Sequence, residues 1–380
     1  MKVVLSTNII APYRKPLFEE IGKHFDLTII CSSVTEVDRE WQAWDRQETF
    51  IFKSIILKGI TLKMKRGFFY FQTGLVPTLR EIKPEILINS SFNLNTLWGS
   101  LYAKIVHIPS LIWSEATCFS ERDQSFARHW FRRLLIYLND AYIPSGIDAK
   151  EFLLSLGATE DRCFTAVDAV EDIRKSPEYE SIIEKVNRLR TLKSDLIVLF
   201  SGQLILRKGI DLLFAAYEKI QDCRSISLWI MGSGPLEKTL KEAVVRKGLK
   251  NVKFLGYMQE REKWFYYLLS DIFVLPTRED VWGLVVNEAM MCGLPVICSK
   301  NAGCCNDLIE DGKTGYRIDP CETEKLSDTL HNLIMDDSLR KTMSKNALEK
   351  VRKYNIEEST KGFLRAISFC KSKRKIDGSD

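Results

Sequence analysis

A chain of 380 residues is longer than one ordinary α/β core and suits two domains, each able to bury its own sheet. Its 45% hydrophobic and 28% charged residues exclude a disordered chain, and a net charge of +5 without a recognition motif gives no case for nucleic acid. No uninterrupted apolar run reaches the roughly 18 residues of a transmembrane helix.

The opening MKVVLSTNIIAPYRKP reads as a first strand, Lys2–Thr7, and not as a signal peptide, because its short apolar run meets Pro12, Arg14 and Lys15. A cytoplasmic protein is expected. LTIICSS (Leu27–Ser33), EILINS (Glu85–Ser90), SLIWSE (Ser110–Glu115) and AYIPSG (Ala141–Gly146) are further candidate strands, with helices near Pro16–Phe25 and Thr96–Val106. The charge-dense stretch from Glu171 to Asp195 reads as the connector into a second domain. The expected division is residues 1–172, 173–355 and a closing helix with polar tail over 356–380.

The second half alternates strand and helix more regularly: LIVLFSG (Leu196–Gly202), a helix over Lys208–Ile220, ISLWIMGSG (Ile226–Gly234), a helix opened by Pro235, VKFLG (Val252–Gly256) and the helical EREKWFYYLL. DIFVLPT (Asp271–Thr277), a helix after Gly283 and PVICS (Pro295–Ser299) complete the series. This rhythm predicts a parallel sheet with helices on both faces and a ligand beyond the carboxyl ends of the strands, where Gly202, Gly232, Asp280 and Gly303 fall. Ten cysteines, of which only Cys304 and Cys305 adjoin, four histidines and no C-x-x-C pair give no metal-ligand spacing. They read as reduced, mostly packed thiols, and no metal or cofactor is expected.

Between Pro276 and Pro295 the chain reads PTREDVWGLVVNEAMMCGLP, a loop carrying Asp280, a Trp282–Gly283 turn and a helix bearing Glu288. The backbone from Trp282 to Val285 offers unpaired N–H groups and the positive end of a helix dipole, a setting for phosphate, with a carboxylate on each side to accept from sugar hydroxyls. A loop acid and a helix acid are each common, so the pair alone does not decide. Lys208, six residues after Gly202, supplies a compact cation for a diphosphate; it equally suits a solvated surface beside Arg207.

Taken in order, FSGQLILRKGIDLLFAAY, WIMGSGPLEKTL, VKFLGYM, TREDVWGLVVNEAMMCGLPVICS and GCCNDLIEDGKTGY resemble the retaining glycosyltransferases of family 4, between Leu196 and Tyr316. In the N-terminal half only TNIIAPYRKPLFEEI is similar to family members, particularly those of bacterial surface-polysaccharide gene clusters. The resemblance implies an α/β chain with the GT-B fold, two Rossmann-like domains with parallel sheets facing across a cleft and a closing helix crossing back to the N-domain. It implies a metal-independent enzyme that moves a sugar from a nucleotide-sugar donor to a glycan or lipid-linked acceptor in capsule, O-antigen or exopolysaccharide synthesis.

By the same resemblance Asp280 contacts the donor sugar and Glu288 the nucleotide ribose. Lys208 neutralises the donor diphosphate, and amides of Gly283 and Leu284 cradle it. Gly202, Gln203, Arg207, Gly232, Trp282 and Gly303 complete the expected donor site. Three positions depart from the family. Asp280 replaces the commoner Glu, and Gln203 replaces an arginine, with Arg207 nearby. The N-domain histidine near the reacting sugar has no counterpart, so Glu115 is its nearest polar substitute, while His107 lies at the strand's other end.

The acceptor side is read from charge. ERDQSFARHWFRRLLIYL (Glu121–Leu138) sets Arg128, Arg132 and Arg133 beside Trp130 and other large apolar residues, KMKRGFFYF (Lys63–Phe71) repeats the mixture, and Tyr13 and Arg14 are placed with them. The pattern suits an anionic membrane surface, giving peripheral association at the inner face of the plasma membrane; core-facing aromatics with solvated arginines give the same pattern. A nucleotide-sugar epimerase of the same fold and a non-catalytic sugar-nucleotide-binding partner are the alternatives.

Overall fold

Short aliphatic, β-branched runs bounded by polar turns leave no polar face to present to water, and such runs are stable only as parallel strands covered on both sides. The computed structural model describes residues 1–34, 50–63, 68–122, 125–193, 195–259 and 261–377. It divides into two units, Met1–Asp168 with the chain from Ile356 onward, and Ala169–Asn355.

The first unit contains β1 (Lys2–Thr7), β2 (Asp26–Cys31), β3 (Lys53–Ile56), β4 (Gly59–Lys63), β5 (Phe68–Gln72), β6 (Ile86–Ser90), β7 (Ser110–Ser114) and β8 (Ala141–Pro144). Among the described residues, six of these form a parallel sheet in the order β3-β2-β1-β6-β7-β8, while β4 and β5 pair as an antiparallel hairpin. The second unit contains β9 (Leu196–Ser201), β10 (Ile226–Met231), β11 (Val252–Gly256), β12 (Ile272–Leu275), β13 (Val296–Ser299) and β14 (Gly315–Ile318), parallel in the order β11-β10-β9-β12-β13-β14. In both sheets the order reverses beside the first strand, between β1 and β6 and between β9 and β12. That switch point opens a crevice at the carboxyl ends of the strands.

Alternation along the strands assigns side chains to the two faces of the second sheet. Val198, Phe200, Ile272 and Val274 enter one buried cluster with Phe214 and Ile230, and Leu199, Phe273 and Leu275 enter another with Trp282 and Met290. At roughly 1.5–3 kcal/mol per buried large aliphatic or aromatic side chain, these two layers fix the strand ends that carry the site.

The closing helix runs over Ile356–Asp377 and belongs to the first unit. Phe363 packs edge-on against Trp113 of β7 with ring centroids 5.3 Å apart, and a Cβ on Gly362 would lie 2.3 Å from the Thr165 carbonyl.

Several elements differ from the sequence reading. The stretch from Glu171 to Asp195 is not a bare connector, because Tyr179–Arg190 forms a helix whose Val186 is fully buried near Leu268. Tyr179, Ile182, Ile183, Val186 and Leu189 recur at helical spacing and pack together, a periodicity that the dense charges between them obscured in the sequence. β3, the β4–β5 hairpin and β14 were not anticipated. In KMKRGFFYF, residues 64–67 lie outside the described residues.

Candidate functional site

The loops after β9 and β12 flank the switch point of the second sheet, and they are fastened to each other. After Ser201 the chain passes Gly202 and Gln203 into a single turn, Leu206–Lys208, before the helix Ile210–Ile220 begins. Lys208 therefore ends that turn, ahead of the helix expected to start on it. The Arg207 carbonyl accepts from the Arg278 amide at 2.8 Å and from the Thr277 hydroxyl at 2.9 Å. Arg278 reaches back to Asp211 with two hydrogen bonds of 2.8 and 2.6 Å. Burial opposes ionisation of Asp211, but these bonds hold its carboxyl below the ordinary range.

On this frame Asp280 meets Lys208 in an ion pair, with Arg207 Nη1 4.0 Å from the other carboxylate oxygen. Asp280 is 6% exposed. Its amide donates to the Asn301 carbonyl at 3.1 Å, and its carbonyl accepts from Gly303 N–H at 3.1 Å. The Gly303 amide, expected to face a ligand, is thus committed to holding Asp280 in place.

Two glycines are dictated by geometry here. Gly232, just past β10, has φ +135°, and a Cβ on it would lie 2.0 Å from the Gly202 carbonyl oxygen, so the β9 and β10 loops touch backbone to backbone. Gly283 has φ +102° and begins the helix Leu284–Met291 without a capping side chain. The first-turn amides of Leu284 and Val285 precede the helix's own hydrogen-bonded rungs, which makes this end a place for an anion. The Trp282 indole is buried and donates to Asn287 Oδ1 at 2.9 Å, so this residue offers the site its backbone and not its ring. It is core, and it locks the turn.

Glu288, one turn into that helix, is also buried, at 6% exposed. Its Oε1 lies 2.7 Å from Lys263 Nζ and its Oε2 accepts from the Tyr267 hydroxyl at 2.8 Å. Ser201 at the end of β9 hydrogen-bonds the same phenol, and burial with the Glu288 charge drives Tyr267 well above its ordinary range, so it stays protonated. The sequence reading missed Lys263 and Tyr267; their only signal was a spacing of four on a helix, which puts both on one face. Behind the site Cys298 is raised by hydrogen bonds to Cys304 and Cys305 together with burial, and Cys304 by burial, which keeps both as thiols. Among the described residues no cluster of three His, Cys, Asp or Glu side chains is arranged to hold a metal ion.

The remaining candidates lie in the first unit. Glu115, just past β7, pairs with Arg14, whose guanidinium stacks 4.4 Å from the Trp113 ring and 5.7 Å from that of Tyr13. Arg14 thus serves Glu115 and is not an exposed cation. Asp168 is pushed up to about 6 by burial, with the Arg14 charge pulling the other way. On the helix Phe126–Leu138, Arg132 is likewise buried. It pairs with Glu121 at 2.6 Å between the rings of Phe92 and Phe152, so it is removed from any surface role. Arg128, Arg133 and Trp130 are exposed.

Residues 181–350 match the model of the family described as glycosyl transferases group 1. Over 297 residues the chain is 25% identical to a sulfoquinovosyl transferase of Arabidopsis thaliana, a match covering 75% of this chain and 57% of that one. It is 26% identical over 166 residues to O-antigen chain mannosyltransferase B of Escherichia coli, 43% of each chain. The chain thus spans about half the length of these curated relatives. The Anabaena protein HepE, solved in complex with UDP, superposes with a TM-score of 0.78 at 17% identity over 97% of this chain and 100% of that one. Together with the two six-stranded parallel sheets, that likeness establishes the GT-B fold.

Proposed function

We propose that this chain, with its glycosyl transferases group 1 domain, is a glycosyltransferase that moves a sugar from a nucleotide-sugar donor, with retention of anomeric configuration, to a glycan or lipid-linked acceptor of a bacterial surface polysaccharide. The observation that carries the reading is the pairing of Lys208 with Asp280 beside the uncapped helix at Gly283, in the segment that matches the family. The donor diphosphate would take the Lys208 ammonium and the amides of Gly283 and Leu284, freeing Asp280 to accept from sugar hydroxyls. Negative charge building on the departing nucleoside diphosphate then meets a cation and oriented N–H groups in a partly dry site. Glu288 faces the ribose. Glu115, held by Arg14, is the polar group proposed for the acceptor side of the reaction.

Peripheral membrane association accompanies this reading. Phe126, Trp130, Leu134 and Tyr137 are exposed along one helix with Arg128 and Arg133, an apolar stripe edged by cations. Among the described residues no helix is long and apolar enough to cross a membrane.

The deciding experiment is turnover. UDP- and GDP-sugars are incubated with a membrane-lipid acceptor extract and the product linkage is read by NMR. A glycoside of the donor's own anomeric configuration is expected. Donor binding without any glycoside would leave a binding partner, and conversion of the donor sugar itself would favour an epimerase.

A further inference from the structure

A carboxylate removed from water is costly unless each oxygen is met by a donor. Glu288 is met at both: Lys263 Nζ stands 2.7 Å from Oε1 and Tyr267 Oη 2.8 Å from Oε2. The two donors are one turn apart on the helix Lys263–Leu269, so they approach from one face and clamp the carboxylate plane. The Lys263 and Glu288 side chains are 12% and 8% exposed, and Tyr267 is fully buried. Well-packed apolar residues would serve stability at least as well as such a buried ionic group. Each carboxylate oxygen so held keeps a lone pair in a fixed direction, and two fixed acceptors side by side match the vicinal hydroxyls of a ribose.

We propose that Lys263 and Tyr267 are positioning residues that aim Glu288 at the ribose diol and thereby set discrimination between ribo- and deoxyribonucleotide. The proposal rests on the reading of Glu288 as the ribose-binding acid. Neither residue touches the nucleotide; each acts through the carboxylate.

The test is calorimetric titration of the full chain with UDP and 2′-deoxy-UDP, and with GDP and 2′-deoxy-GDP, for the native protein and for Glu288→Gln, Tyr267→Phe, Lys263→Met and Lys263→Arg, with melting curves to confirm folding. The native protein should prefer the ribonucleotide by about tenfold, the equivalent of one charge-assisted hydrogen bond. Glu288→Gln should abolish that preference. Tyr267→Phe and Lys263→Met should reduce it severalfold while hardly changing affinity for the deoxy form, and Lys263→Arg should restore it. If Glu288→Gln removes the preference but Tyr267→Phe and Lys263→Met retain it in full, the positioning role is refuted and the pair merely fills the core. If Glu288→Gln retains the native preference, or neither nucleotide binds, the ribose assignment falls and this proposal with it.

Discussion

Lys208→Met isolates the ion pair on which the site turns. The substitution keeps most of the apolar stem of a side chain that is 14% exposed and deletes the ammonium beside an Asp280 carboxylate that is 9% exposed. Arg207 at 4.0 Å is a second cation in reach, and its side chain is 35% exposed, so water screens what it can replace. Breaking a buried pair by removing one member costs about 3–5 kcal/mol; with Arg207 near, about 2–3 kcal/mol is expected here, and urea unfolding at pH 7.5 measures it. Protonation relieves a lone buried carboxyl, so the deficit should shrink at pH 5. Lys208→Met/Asp280→Asn, which removes the charge altogether, should recover most of the loss while transfer activity stays absent. A Lys208→Met protein as stable as the native one at both pH values would refute the argument, because Asp280 would then not depend on Lys208 for compensation.

Gly232→Ala should cost roughly 3 kcal/mol or more, since its Cβ would fall 2.0 Å from a backbone oxygen at a positive φ, whereas Gly248→Ala, with nothing within 4 Å, should cost about 1 kcal/mol. Equal urea midpoints for the two would contradict the close approach of the β9 and β10 loops. Burial pushes the Asp168 carboxyl up to about 6 from an ordinary 3.8, and keeping it protonated favours the folded state. Because the folded value is the higher one, this stability is present at low pH and is lost as pH rises from about 4 to 6. Asp168→Asn should therefore raise the melting temperature at pH 7.5 and by much less at pH 4.5, and a gain that does not change with pH would remove the assignment. Trp130→Ser/Tyr137→Ser should abolish co-sedimentation with anionic vesicles at low salt; sedimentation equal to that of the native chain would exclude this stripe as the contact.

Strands were readable wherever a run is apolar on both faces: β1 occupies the residues the sequence reading assigned to it, and β9 differs by its last residue. β3, reading KSII, and the hairpin strands lack a local signature of that strength, since they owe their place to neighbours across the sheet or the turn. Within the site, Asp280, Lys208 and Gly283 were legible because turn chemistry and ordered motifs are local. Arg132 was misjudged, because whether an arginine faces solvent or core depends on what packs against it.

Sequence by itself determined the βα alternation of the second unit, the acid-loop-helix order from Asp280 to Glu288, and the placing of glycines at strand ends and at the helix start after Trp282. These are matters of periodicity and backbone conformation, written within a few residues. Tertiary structure alone decided which groups compensate the buried charges. Lys208 comes to Asp280 from 72 residues away and Tyr267 to Glu288 from 21. Partners that distant in the chain are chosen by strand order and helix face, and no local pattern encodes them.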